Sequence, residues 1–251
     1  LGASTPLCTQ GFGAARAQRV GDVRVTLYPA GHVLGSAMIR VERAGGGTGG
    51  HEGGVWLVTG DYKLTPDGVS ETAEITRCDT LVTESTFGLP IYRWPAQDVL
   101  MDEINAWWRG CQGEGRTAVL FAYPLGKSQR VLANVDASIG PLLAHGAVRR
   151  INEAYGEAGA RLPEVGHATR EAVKRAVQSG RAPLVVAPPS ADGSAWLRGF
   201  GDVSRAFASG WMAIRGTRRR RSMDRGFALS DHVDWAQLMT MVRETGCTRV
   251  G

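Results

Sequence analysis

The sequence has 251 residues and no Cys-x-x-Cys pair, and its four cysteines (Cys8, Cys78, Cys111 and Cys247) lie far apart. Such spacing argues against a zinc-thiolate ribbon and against a disulfide-stapled scaffold. Free thiols in a reducing compartment are the expectation. No run approaches 18 consecutive apolar residues, so no membrane-spanning helix is expected. The opening residues, Leu1-Gly2-Ala3-Ser4-Thr5, offer neither a basic nor an apolar signal region, and a cytoplasmic location is expected. GxxxxGK is missing, which excludes a P-loop. Internal repeats are missing too. Charged residues are 21% against 43% hydrophobic, a balance that excludes gross disorder and gives one large domain or two small ones a buried core. The first residue is not Met, and the chain reads as a fragment.

Basic residues number 29 and acidic ones 24, a net charge of +5 that suits an anionic partner and equally a mildly basic enzyme. Short β-branched runs at 23–28, 37–42, 55–59, 79–83, 117–122, 184–187 and 227–229 read as strands. Residues 45–54 are glycine-rich and read as a hairpin tip carrying a solvated His51. Helices are expected over 97–109, 127–139, 147–158 and 168–178, and after Asp234, which is placed to cap a helix with Gln237 three residues on. Trp235, Leu238, Met239 and Val242 form that helix's core stripe. The alternation of strand and helix beyond residue 90 predicts an α/β unit with a parallel sheet. Trp107, Trp108, Trp211 and Trp235 are expected in the core.

Three segments carry candidate chemistry. Gly31-His32-Val33-Leu34-Gly35 puts a histidine on a glycine-flanked loop between strands. Thr59-Gly60-Asp61-Tyr62 delivers a carboxylate at a strand end. Ser230-Asp231-His232-Val233-Asp234 sets a histidine between strand and helix. Singly, each reads as a loop polar group, a turn former or a cap. Together, imidazole and carboxylate at strand ends suit zinc, and Asp can bridge two ions. Gly126 and Lys127 stand at a strand-to-helix junction, suited to a phosphate; a tight turn with an exposed lysine is the competing reading. Arg218, Arg219, Arg220 and Arg221, within an arginine run at 215–225, either contact phosphate backbone or form a solvated loop.

The ordered set GHVLGSA, TGDY, TESTFG, FAYPLGKSQR and SDHVDW resembles the metallo-β-lactamase-fold nucleases of the β-CASP family, nearest the bacterial ligase-associated DNA exonuclease group. ESTFGLPIYRW, HGA at 145–147 and SGWM at 209–212 are similar to that group as well. The resemblance implies an αββα sandwich, 1–90 and 223–251, interrupted by a β-CASP domain at 91–222. It implies His32 as a ligand of one zinc, Asp61 as the carboxylate bridging two, Glu84 as the acidic motif A, and His232 as motif B facing the scissile phosphate. It further implies zinc-dependent phosphodiester cleavage, most closely a DNA exonuclease in repair beside an ATP-dependent ligase and a helicase. An RNA-processing nuclease and a catalytically inactive nucleic-acid-binding homologue are the alternatives. A small-molecule metallohydrolase fits poorly with an inserted domain. The family's HxHxDH motif and its motif C histidine are absent from this sequence, so the chain is expected to be truncated at both ends and to hold an incomplete metal site.

Overall fold

The computed structural model describes residues 16–43, 53–214 and 223–251. Two six-stranded sheets organise them. The first contains β1 (Arg16–Val20), β2 (Val23–Pro29), β3 (Ala37–Arg43), β4 (Gly54–Val58), β5 (Thr80–Val82) and β12 (Arg249–Val250). Its order is β1-β2-β3-β4-β5-β12, antiparallel through β4 and parallel from β4 to β12. The second contains β6 (Thr117–Phe121), β7 (Leu142–Ala144), β8 (Gly166–His167), β9 (Leu184–Ala187), β10 (Val203–Ala208) and β11 (Arg225–Phe227). Its order is β11-β10-β6-β9-β7-β8, and every pairing is parallel, as the alternating pattern predicts.

Six α-helices accompany the sheets among the described residues: α1 (Gln97–Gly113), α2 (Lys127–Asn134), α3 (Gly146–Glu157), α4 (Arg170–Gln178), α5 (Ala195–Arg198) and α6 (Trp235–Thr245). None is long and apolar enough to cross a membrane. β6 is buried along its whole length. Ala118 and Leu120 pack beneath α1, α2 and α3 (Ile104, Trp108, Val131, Val148). Val119 and Phe121 pack toward α4 and α5 (Val173, Leu197). Covering both faces explains why this strand reads as a continuous apolar run. In the first sheet, Met38, Leu57 and Leu81 pack with Val233, Leu238 and Met241. The opposite face is open: Ile39 faces Val58 in register, and both are exposed, as is Trp56.

Several expectations need correction. The helix foreseen to 139 ends at Asn134, because Val135 turns extended (φ −76°, ψ 154°). Asn105 then accepts the Asp136 N–H, and Asp136 folds back on Ser138. The strand foreseen at 227–229 lies at Arg225–Phe227, since the Leu229 N–H turns back to the Phe227 carbonyl. Trp108 is fully buried, but Trp211 is 45% exposed and is not a core residue. In α6 the most buried residues are Leu238, Met241 and Thr245, while Met239 and Val242 are partly buried. β1, β7, β8 and β10 were not foreseen; β7 and β8 are two or three residues long, and β10 carries Ser204 and Arg205. His51 and most of the glycine-rich tip lie outside the described residues, as do Cys8 and Arg218 to Arg221. The three described cysteines are free.

Candidate active site

β2, β4 and β5 run the same way, so their C-terminal ends share one edge of the first sheet. His32, Asp61 and Glu84 follow those three ends within a few residues. In the second sheet all C-terminal ends share one edge, where open parallel sheets place ligands. His232 follows β11 at that edge. The two edges face each other, and the four side chains meet between them.

The His32 loop is pinned by backbone. Ala30 N–H donates to Ser36 O at 3.0 Å, and Lys63 N–H to Ala30 O at 2.9 Å. Gly31, at φ +72°, lies so close to the Lys63 carbonyl that a Cβ has no room. His32 Nδ1 is 3.0 Å from the Asp231 carbonyl oxygen, which can only accept. That bond fixes the tautomer and leaves the Nε2 lone pair facing Asp61, 3.8 Å from Oδ2.

Asp61 is half exposed, 52% for its side chain. Its other oxygen is 3.8 Å from His232 Nδ1. Ligand atoms of His32, Asp61 and His232 all lie within 4.8 Å of one another, a spacing that can hold a metal ion. An imidazole lone pair aimed at a carboxylate is unfavourable unless a proton or a cation stands between them. That geometry fits a bound cation.

Glu84 is almost buried. Its Oε2 accepts the Thr86 N–H at 2.7 Å, and its Oε1 is 3.4 Å from His232 Nδ1. Neither of those two facing atoms has another hydrogen-bond partner. Burial opposes ionisation of Glu84, but His232 and the Thr86 N–H outweigh it and hold the carboxyl below its usual range. His232 itself is held from three sides: its backbone N–H donates to Ser230 Oγ, Trp94 Nε1 donates to its carbonyl at 2.8 Å, and Phe87 packs edge-on, ring centres 6.0 Å apart.

The phosphate candidates at the junction sit differently. Lys127 is buried, with Nζ 3.0 Å from Asp231 Oδ2; it is neither an exposed lysine nor a free one. Arg130 adds a second cation, Nη1 3.7 Å from Asp231 Oδ1, and donates to Ser230 O. Gly126 has φ +81°, and a Cβ there would come within 2.6 Å of Val33 and 3.0 Å of Asp231. The junction therefore clamps the Asp231 loop onto the His32 loop. Sequence reasoning missed Asp231 in this role, because its partners are about a hundred residues away and only adjacency to His232 marks it. It missed Trp94 for the same reason.

No protein-family model matches the chain. A probable DNA ligase from Opitutus terrae is 31% identical over 233 residues, which is 93% of this chain and 22% of that protein. Endoribonuclease YSH1 from Gibberella zeae is 32% identical over 122 residues, 47% of this chain and 13% of that protein. Transcription termination factor FttA from Pyrococcus abyssi is 30% identical over 151 residues, 54% of this chain and 22% of that protein. The chain thus spans less than a quarter of the length of each of these relatives.

Proposed function

This chain belongs to the β-CASP family of metallo-β-lactamase-fold nucleases, and on that premise we propose that the whole protein hydrolyses phosphodiester bonds of nucleic acid between the two sheets. The observation that carries this reading is the convergence of His32, Asp61, Glu84 and His232 from four separate segments. The substrate favoured is DNA, cut by an exonuclease in cytoplasmic repair. In support, the relative named a probable DNA ligase matches 93% of this chain, whereas the endoribonuclease matches 47%. That name also supports a working association with a DNA ligase; its ATP dependence and a helicase partner rest on the resemblance alone. RNA processing is the second reading, favoured by the endoribonuclease relative.

The fold proposed is the αββα sandwich interrupted by a β-CASP domain, with the second sheet as the insert. The insert proposed is 91–222 and the return 223–251, whose first strand, β11, pairs with β10 of the second sheet. The open face bearing Ile39, Trp56 and Val58 is of the kind a sandwich buries against its other sheet.

His32 and Asp61 are the residues proposed to hold metal, and their nitrogen and carboxylate donors suit zinc. Two zinc ions in the whole protein would neutralise phosphate charge and activate water. This chain's own residues do the rest. Ionised Glu84 orients the His232 ring, with Oε1 3.4 Å from Nδ1, and the protonated form of that ring is the acid of the reaction. The imidazolium stabilises phosphoryl charge or protonates the leaving oxygen, assistance worth about 10²–10⁴-fold. Gly126, Lys127 and the 218–221 arginines keep a phosphate-binding role only as part of this proposal, and Lys127 would have to share its ammonium with Asp231.

Single-turnover cleavage by the whole protein tests this. His232→Ala should slow cleavage by about 10²-fold or more with metal content unchanged, and Glu84→Ala somewhat less. The double variant should match His232→Ala, because coupled residues do not add. Multiplicative losses would break the pair apart, and DNA and RNA substrates run in parallel decide between the two readings.

A further inference from the structure

Besides His232, the C-terminal edge of the second sheet presents two exposed aromatic side chains. β11, β10 and β6 are neighbours in that order, and all three run parallel. The segments leaving their ends carry, in the same order, His232, Trp211 and Tyr123. Trp211 is 45% exposed and Tyr123 56%. Both are anchored. Trp211 packs against Phe87, ring centres 4.8 Å apart, and against Tyr92 at 6.0 Å; Phe87 is the ring that touches His232. Gly210 allows this packing, since a Cβ there would come within 2.5 Å of Phe87 and 3.0 Å of Trp94. The short 3₁₀ turn Gly210–Ala213 buries Met212 and leaves Trp211 outside. Tyr123 lies over Lys127 Nζ, 5.3 Å from the ring centre, and that ammonium binds Asp231, the residue before His232.

We infer that Trp211 and Tyr123 are base-stacking platforms, and that the strand entering the site is therefore unpaired. The inference rests on the nucleic-acid reading of the site and adds the form of the substrate. A tryptophan or tyrosine half left to solvent beside a polar site has apolar surface to bury, and every nucleobase offers a π-face to bury it against. Paired bases in a duplex hide those faces in the stack, so a platform of this kind selects single strands without reading sequence. The net charge of +5 suits the accompanying phosphates. Tyr123 and Trp211 leave adjacent strands, which suits successive bases of one strand.

Binding to this chain, measured by fluorescence anisotropy without added metal, tests the inference apart from cleavage. The probes are labelled oligo-dT, oligo-rU, an abasic strand with the same number of phosphates, and a blunt duplex of equal length. Oligo-dT or oligo-rU should bind about tenfold more tightly than the abasic strand and the duplex, and whichever binds more tightly marks the sugar preferred. Trp211→Ala should abolish that advantage, Trp211→Phe should keep most of it, and Tyr123→Ala should reduce it, each with an unchanged circular dichroism spectrum. Equal binding of base-bearing and abasic strands would overturn the stacking inference and leave the nucleic-acid reading standing. So would a Trp211→Ala loss equal for all probes, which marks a scaffold residue, or a preference for duplex. Failure of the folded chain to bind any probe would count against the nucleic-acid reading itself.

Discussion

Gly126 shows how much a single residue can carry. Its positive φ already disfavours a side chain, and Val33 and Asp231 fill the space where a Cβ would stand. Gly126→Ala should therefore lower stability by about 1–3 kcal/mol, read as a drop in Tm; an unchanged Tm would show that the His32 and Asp231 loops can part freely. Asp67 supplies a pH-dependent counterpart. Burial raises its pKa, but Lys63, with Nζ 2.5 Å from Oδ2, and the Ser70 and Val69 N–H groups outweigh that and hold it below the ordinary value. A carboxyl with a depressed folded pKa adds stability that is present above its unfolded value, about 3.9, and lost as pH falls through the folded one. Asp67→Asn should therefore lower Tm at neutral pH, and the gap to wild type should narrow on acidification below about pH 4. A gap constant from pH 7 to pH 3 would contradict the assignment.

At the scale of elements, α6 and the loop before it join the two sheets. Asp234 caps the helix through the Gln237 N–H at 2.9 Å, and its other oxygen takes the Trp94 N–H. Asp234→Ala should cost about 1 kcal/mol for the cap, and further stability for the Trp94 amide left without its acceptor. Upstream, Asp231 holds two buried cations at once. Removing its charge takes the nearest carboxylate from both, so Asp231→Leu should destabilise by roughly 3–5 kcal/mol. The triple replacement of Asp231, Lys127 and Arg130 by apolar residues should recover part of that loss, and urea denaturation of the two variants makes the comparison. A triple variant less stable than Asp231→Leu would mean that the cluster is held by packing rather than charge.

For the whole molecule, the open face of the first sheet is the main feature. Ile39, Trp56 and Val58 stand together and exposed on it. Patches of this kind drive association. Trp56→Ser with Val58→Thr should make this 251-residue chain more soluble and more monodisperse by light scattering, while Tm changes little. A large fall in Tm would show that the face is already covered. The same chain should hold zinc weakly, because among the described residues His32, Asp61 and His232 are the ligating side chains that converge, and the HxHxDH motif is absent from the sequence. Metal analysis after gel filtration should find less than one tightly held ion per chain; two would overturn the ligand assignment.

Much of this protein is legible in its residues alone. Period-two and fully apolar runs marked β2, β3, β4, β6 and β9, because burial on one face or both leaves that pattern in the sequence. Asp234 announced α6 by local capping chemistry. His32, Asp61 and His232 were identifiable as candidates from their places at strand ends, and Glu84 from the resemblance alone. Other features left no local trace. β7 and β8 are too short to show a period, and a helix pattern past Asn134 could not reveal that Asn105 stops it. Lys127 reads as an exposed lysine until Asp231 is found beside it, and Trp211 reads as core until the 3₁₀ turn leaves it outside. The meeting of two sheet edges decided the surroundings of Lys127 and of the four site residues. It brings together groups 20 to 200 positions apart, and such contacts depend on how strands are ordered in space, which no window of neighbouring residues encodes.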